Sequence, residues 1–144
     1  LNVRAGCPNL IERIEGGLLS YGNDMTLANT PFECGFGKFL PKVVANHCIG
    51  AQTLNSDKVR SPSKIIKSLS IDHKERIYCE DPWEIYDMKN GKVGQITSAA
   101  YSPDFQKVVA LGMIKTRSIE SEQTMYTIIN HNKHTIQIEE TPFI

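Results

Sequence analysis

Five short runs of mainly β-branched and other apolar residues constrain this chain most, because they recur through its second half with turn signals between them. They are Ile65–Ile71, Lys92–Ala100, Val108–Ile114, Met125–Ile129 and Thr135–Ile138. Such runs, with a period near two, are typical of half-buried strands. The Asn90-Gly91 pair favours a type I′ hairpin, and residues 130–133 predict a second turn. Five or six short strands with tight connections predict a small antiparallel barrel or sandwich.

A short helix is predicted ahead of these runs. Leu10, Ile11, Ile14 and Leu18 form one apolar stripe at helical spacing, and Asn9 followed by Glu12 has the pattern of a capping box. Gly16-Gly17 predicts the end of the helix. Residues 21–31 are rich in Gly, Asn and Thr and close on a proline, which predicts a loop of the kind that carries ligand contacts. Residues 55–63 are polar and predict a connector between two structural units.

Size, charge and cysteine usage exclude several classes of protein. The chain has 144 residues, of which 40% are hydrophobic, enough for one ordinary core. Sixteen basic residues balance sixteen acidic ones, so we expect no nucleic-acid partner. No apolar run approaches the roughly 18 residues of a membrane span. The four cysteines form no CxxC pair and no Asn-x-Ser/Thr acceptor occurs, which favours free thiols and a cytoplasmic location.

Few side chains stand out as candidates for chemistry. His131 and His134 form an HxxH at a predicted turn without a third ligand, so we interpret them as solvated turn histidines and predict no metal site. No residue pattern assigns a catalytic side chain. A flat, polar, acid-tailed ligand would suit the set of Arg13, Tyr21, Asn23 and Asp24, since a guanidinium pairs with carboxylates and a tyrosine ring stacks. The alternative is a salt-bridged surface arginine and a packed tyrosine.

Two blocks of sequence, in the same order as in a known family, resemble that family's signature. RIEGGLLSYGNDMTLANTPFECGFGKF, residues 13–39, resembles the helix-and-loop signature of the folate-dependent aminomethyltransferase family, which includes the T-protein of glycine cleavage. The positions that match are Arg13, Glu15, Leu19, Tyr21, Gly22, Asp24, Thr30, Pro31 and Glu33. A second block, residues 91–114, resembles the turn and apolar strand of the family's C-terminal barrel.

The resemblance implies an α+β architecture in three parts. Residues 1–48 would end a folate-binding domain with a helix and a loop, residues 49–61 would connect, and residues 62–144 would form a small antiparallel β-barrel. It also implies that the chain is the C-terminal part of a longer protein. An upstream folate domain or a second copy of the chain is then the expected partner.

The resemblance further implies tetrahydrofolate as cofactor and a small-molecule donor, either a sulfonium or an aminomethyl group. Within the family it favours the branch that demethylates dimethylsulfoniopropionate to methylmercaptopropionate and 5-methyltetrahydrofolate. An aminomethyltransferase like the T-protein, or a non-catalytic barrel that binds a partner, are the alternatives. The family pattern places Arg13 and Tyr21 at the rim of the folate cavity. It assigns Glu15 and Asp24 to holding the helix and loop in shape.

Overall fold

The second half of the chain forms a closed barrel of six antiparallel strands. The computed structural model describes residues 6–140, 142 and 143. The strands are β1 Lys64–Ile71, β2 Trp83–Asp87, β3 Lys92–Ser102, β4 Lys107–Lys115, β5 Met125–Ile129 and β6 Asn132–Glu139. They pair in the order β1-β4-β3-β2-β5-β6, and β6 returns to pair with β1 between Ser68↔Glu139 and Ile71↔Ile136. The barrel is therefore confirmed, and the sandwich alternative is wrong.

Strand β2 is the sixth strand, which the five apolar runs did not include. Its burial explains why, since Ile85 is the one fully buried residue of its five positions. The hairpin between β2 and β3 is present, but the predicted type I′ turn is wrong. Four residues connect the strands, and φ is positive at Asn90 (62°) but not at Gly91. The Asp87 carboxylate instead accepts from the backbone N–H groups of Lys89 and Gly91.

The two-residue turn lies between β5 and β6. Asn130 and His131 have φ of 49° and 66°, as a type I′ turn requires at both central positions. The predicted turn at residues 130–133 is thus confirmed in its first half, whereas Asn132 and Lys133 already belong to β6.

Short helical segments occupy the first part of the described chain. They are α1 Leu10–Glu15, a 3₁₀ turn at Phe36–Phe39, α2 Ala51–Leu54 and α3 Asp57–Arg60. One further short helix, α4 Thr116–Glu120, lies in the barrel between β4 and β5. The predicted helix and its capping box are confirmed in α1. The polar stretch predicted as a connector, residues 55–63, contains helix α3, which is a single turn long. No helix in the part of the chain that the structure describes is long and apolar enough to cross a membrane.

Two apolar clusters organise the packing on opposite faces of the sheet. The interior cluster draws from all six strands and consists of Leu69, Ile71, Ile85, Val93, Ile96, Ala99, Val108, Ala110, Ile114, Met125, Ile129 and Ile136. The outer cluster consists of Ile14, Ile66, Ala100, Val109, Leu111 and Met113. Because Ile14 belongs to α1 and is fully buried, the outer cluster fastens this helix to the outside of the barrel.

Candidate functional site

Helix α1 presents Arg13 to the barrel because both ends of the helix are fixed. At its start, the Asn9 side chain accepts from the backbone N–H of Glu12 at 2.9 Å, and the Glu12 carboxylate accepts from that of Asn9 at 2.8 Å. At its end, Gly17 turns the chain with a φ of 66°, which a glycine adopts without strain. The backbone N–H of Leu18 then donates to the carbonyl of Arg13 at 2.7 Å.

Arg13 forms an ion pair with Asp24 on the outer face of the barrel. Its Nη1 donates to Asp24 Oδ2 at 2.9 Å and to the carbonyl of Leu18 at 3.2 Å. Its Nη2 donates to Ser98 Oγ at 2.7 Å. The Asp24 side chain is completely buried, whereas 16% of the Arg13 side chain stays exposed. Removing one partner of a pair shielded this far from water would leave an uncompensated charge beside the barrel.

Asp24 is held by the loop as well as by the barrel. Its Oδ2 accepts from the backbone N–H of Ser20 at 2.8 Å, and its own backbone N–H donates to the Ser20 carbonyl at 2.9 Å. Its Oδ1 accepts from the hydroxyls of Thr97 at 2.6 Å and Ser98 at 2.7 Å. With Arg13, the carboxylate accepts four hydrogen bonds, about its full capacity. Asp24 is therefore built to hold its neighbours in place.

A β-bulge in strand β3 brings two adjacent hydroxyls to Asp24. Ile96 pairs with Gly112 and Ser98 pairs with Leu111, so Thr97 is an extra residue opposite β4. Successive side chains of a regular strand point to opposite faces, and a bulge breaks that alternation. The bulge thus lets Thr97 and Ser98 reach the same carboxylate.

A second buried carboxylate fastens the helix four residues further along β3. Ser102 Oγ donates to Glu15 Oε1 at 2.6 Å and accepts from the backbone N–H of Phe105 at 3.2 Å. The carbonyl of Glu15 accepts from the backbone N–H of Phe143 at 2.9 Å. Glu15 is 7% exposed, so this contact is shielded from solvent. Together, the Asp24 and Glu15 contacts fix how α1 lies on the sheet.

Tyr21 lies on the same loop but faces outward. It is 65% exposed, and the side chains of Leu18 (53%) and Leu27 (91%) are exposed beside it in sequence. The next residue, Gly22, has a φ of 94° and donates from its backbone N–H to the Met25 carbonyl, which sharpens the turn between Tyr21 and Asp24. The described residues leave the Tyr21 ring largely exposed to solvent. Its predicted role in lining a pocket therefore stays a prediction.

A cleft of about 370 Å³ adjoins the end of α1. It lies between the glycine exit of the helix, the 3₁₀ turn and strand β1. Its lining includes Gly16, Leu19, Phe36, Lys38 and Ile66. Apolar walls with a cationic side chain are compatible with a small acidic ligand, although the ion pair of Arg13 lies outside this lining.

The remaining candidate residues do not assemble a reactive centre. His131 is exposed in its turn, and His134 contacts the His73 ring edge-on with 4.9 Å between centroids. The described residues contain no group of three side chains placed to hold a metal. Burial raises the pKa of the Cys34 thiol, and burial raises that of Cys79 to about 11, so both stay protonated at neutral pH.

Sequence reasoning singled out Arg13, Glu15, Tyr21 and Asp24 but missed Thr97, Ser98 and Ser102 as their partners. The structure brings Arg13 and Asp24 into direct contact and places Glu15 beside Ser102. A usable signal existed, because consecutive hydroxyl residues inside a long, otherwise buried strand need hydrogen-bond partners. Nothing local in the sequence says which groups those partners are.

Similarity to known proteins agrees with this architecture. Residues 65–144, more than half of the chain, match the family described as the glycine cleavage T-protein C-terminal barrel domain. The chain belongs to this family. The crystal structure of glycine cleavage system aminomethyltransferase T from Bartonella henselae superposes with a TM-score of 0.71 at 21% identity, over 92% of this chain and 37% of that one. That likeness shows the T-protein fold.

Two curated relatives are similar to this chain over stretches longer than the barrel match. Dimethylsulfoniopropionate demethylase DmdA of Ruegeria pomeroyi is 49% identical over 115 residues, which are 79% of this chain and 30% of that protein. The aminomethyltransferase of Prochlorococcus marinus strain MIT 9313 is 26% identical over 91% of this chain and 34% of that protein. The chain is thus homologous to transferases and spans about a third of their length.

Proposed function

We propose that this chain is the C-terminal part of a tetrahydrofolate-dependent methyltransferase that demethylates dimethylsulfoniopropionate. The products are methylmercaptopropionate and 5-methyltetrahydrofolate. The supporting observation is the 49% identity to the Ruegeria demethylase, against 26% and 28% for aminomethyltransferases of Prochlorococcus. Because the chain spans 30% of the demethylase, the activity is proposed for the protein that carries this chain.

Three parts of the chain have distinct roles in this proposal. Residues 1–48 complete a folate-binding domain, residues 49–61 connect, and residues 62–144 form the barrel domain that supports it. An upstream folate domain supplies the rest of the cavity. The exposed apolar side chains of Leu18 and Leu27 are consistent with a surface that another part of the protein covers.

Arg13 fits the acid tail of a folate because part of its guanidinium is unused. The group has five N–H donors. Among the described residues, Nη1 donates to Asp24 and Leu18, and Nη2 donates once, to Ser98. Asp24 and Ser98 lie at the tip of the guanidinium, where they accept from Nη1 and Nη2. The Nε–H and the second N–H of Nη2 therefore remain side by side along one edge of the guanidinium. That edge matches a carboxylate, which it binds through two parallel hydrogen bonds.

Tyr21 supplies an aromatic face on the loop that follows α1. Its ring is 65% exposed, and the loop that carries it is anchored by the buried carboxylate of Asp24 three residues later. An exposed ring on a fixed loop can stack on the flat part of a ligand at small cost in conformational entropy. Arg13 and Tyr21 together suit a ligand with an aromatic body and an acidic end.

The chemistry asks the protein mainly for alignment. Tetrahydrofolate, when bound, would supply the N5 nitrogen that takes the methyl group: the S–CH3 bond breaks, the neutral thioether leaves, and N5 gives up its proton. A sulfonium is already an activated donor, so rate enhancement comes chiefly from holding the two reactants in line. Arg13 contributes by fixing the acid tail, and Tyr21 contributes by fixing the flat body.

The test is an assay of the protein at its native length. Dimethylsulfoniopropionate and tetrahydrofolate should yield methylmercaptopropionate and 5-methyltetrahydrofolate in equal amounts. Arg13→Ala should raise the KM for tetrahydrofolate about tenfold or more, the loss expected for a charged hydrogen-bond donor. Arg13→Lys should also weaken binding while keeping a cation beside Asp24. Arg117→Ala, at an exposed arginine on α4, is the matched control and should leave the KM unchanged.

Two results would overturn parts of the proposal. Turnover of an aminomethyl donor but not of the sulfonium would assign the protein to the aminomethyltransferases instead. Normal kinetics in Arg13→Ala would remove Arg13 from the folate site while leaving the reaction itself in place.

A further inference from the structure

We propose that Ser98 is a positioning residue, whose hydroxyl orients the Arg13 guanidinium so that its free edge faces the folate carboxylate. The inference rests on the proposed function, because it concerns the same folate site. It adds a residue of the barrel to a site that the sequence placed in the helix and loop. Ser98 is 2% exposed, so it acts on the ligand through Arg13 and does not touch it.

The direction of both hydrogen bonds at Ser98 is fixed by chemistry. A guanidinium can only donate, so Ser98 Oγ accepts from Arg13 Nη2 at 2.7 Å. An ionised carboxylate can only accept, so the same hydroxyl donates its proton to Asp24 Oδ1 at 2.7 Å. One hydroxyl therefore links the two ends of the ion pair, and both of its bonds have a charged partner.

This link sets the plane of the guanidinium. Arg13 Nη1 contacts Asp24 Oδ2 directly, and Ser98 joins Arg13 Nη2 to Asp24 Oδ1. Attachment at both Nη1 and Nη2 holds a planar group against rotation, whereas attachment at Nη1 alone, to Asp24 and Leu18, would leave that nitrogen as a pivot. The free edge, with Nε–H and the second Nη2 N–H, turns with the plane. Loss of the Ser98 hydroxyl should therefore misdirect that edge even if the ion pair survives.

The bulge in β3 makes this placement rigid. Thr97 is the extra residue of the bulge, and its hydroxyl donates to Asp24 Oδ1 at 2.6 Å while lying 3.2 Å from the carbonyl of Leu111. Ser98 then resumes pairing with Leu111 of β4. A side chain on a paired strand is held more accurately than one on a loop. The barrel thus gives the helix residue Arg13 a fixed reference point.

Ser102 offers a matched control on the same strand. It is also fully buried and also donates to a buried carboxylate, Glu15 Oε1, at 2.6 Å. Among the described residues, its hydroxyl has no contact with Arg13. Replacing either serine by alanine removes a buried bond between β3 and the α1 region, but only Ser98→Ala changes the support of the guanidinium.

The experiment compares Ser98→Ala, Ser98→Thr and Ser102→Ala in the native-length protein, with kcat, the KM and Kd for tetrahydrofolate, and Tm as readouts. Ser98→Ala should raise the KM and the Kd roughly fivefold, the effect of about one hydrogen bond, with kcat nearly unchanged. Ser98→Thr should restore most of the affinity because it restores the hydroxyl. Ser102→Ala should lower Tm and leave the KM within about twofold of the parent, as expected for a site that does not contact Arg13.

The outcomes separate this inference from the proposed function. If the parent protein binds no tetrahydrofolate, both are overturned. If the parent binds and demethylates normally but Ser98→Ala and Ser102→Ala shift the Kd equally, Ser98 acts only by docking the helix and this inference alone is overturned. Should Ser98→Ala not fold, Ser98→Cys keeps a similar shape but replaces the hydroxyl by a thiol, a weak donor and a weak acceptor, so its Kd should also rise. An unchanged Kd in that variant would overturn the inference.

Discussion

Strand β3 has two buried faces that are built in different ways. Its inner face contributes Val93, Ile96 and Ala99 to the interior cluster. Its outer face places Ala100 in the outer cluster but also carries Ser98 and Ser102, each bonded to a buried carboxylate. Apolar burial stabilises without regard to direction, whereas hydrogen bonds fix orientation. The comparison suggests that the interior holds the barrel together and the outer face sets where Arg13 points.

The largest expected effect is the loss of an interior side chain. Ile114→Ala removes a fully buried residue of β4 from the interior cluster and should lower the free energy of unfolding by about 3 to 4 kcal/mol. Ile14 is equally buried but lies in α1. Ile14→Ala should lower the free energy of unfolding of the barrel by less, because the helix can detach while the barrel stays folded. Urea unfolding measures the first effect, and hydrogen exchange of the α1 amides measures the second.

Equal losses in global stability, with equal loss of protection in both regions, would show that the two faces unfold as one unit. The proposed division of roles between the interior and the outer face would then be wrong.

A smaller effect is expected from the charge pair on the outer face. Asp24→Asn keeps the shape of the side chain but leaves Arg13 without its counter-charge, and should cost roughly 3 kcal/mol. We expect the lower end of the usual range because the Arg13 side chain is 16% exposed. Asp104→Asn, at an exposed position, is the control and should change stability by less than about 0.5 kcal/mol. Chemical denaturation measures the free energy of unfolding of both variants. Equal losses in Asp24→Asn and Asp104→Asn would show that the ion pair contributes only as a surface contact.

The smallest effect is expected where a carboxylate is paired but solvent-accessible. The pKa of Glu139 is lowered by the hydrogen bonds from Lys107 and Ser70. Because the folded pKa lies below the unfolded one, the stabilisation is present above the ordinary glutamate pKa and is lost as pH falls through the folded value. With Glu139 30% and Lys107 29% exposed, it should amount to less than about 1 kcal/mol.

Glu139→Gln should therefore lower Tm at neutral pH and converge with the parent protein in acid. Glu140→Gln, at the exposed neighbouring position, is the matched control and should show no such convergence. A Glu139→Gln variant that stays less stable by the same amount at every pH would mean that packing, and not charge, accounts for the difference.

The sequence predicted what local patterns determine. The capping box of α1 involves residues three apart, and most strands were visible in their β-branched runs, so both were found. Strand β2 was missed because it buries little, and the turn at Asn90 was misjudged because the Asp87 side chain reshapes it. The Arg13–Ser98 contact joins residues that are 85 positions apart and depends on a bulge. No local pattern could have specified it.

The return of β6 to β1 has a consequence for how the barrel forms during synthesis. Strands β1 and β5 each gain their second neighbour only when β6 pairs with them. Until residues 132–139 leave the ribosome, both strands keep an open edge that can pair with another chain. Rapid release of the last strand, or a chaperone that shields those edges, should therefore decide how much of the newly made protein reaches the native state.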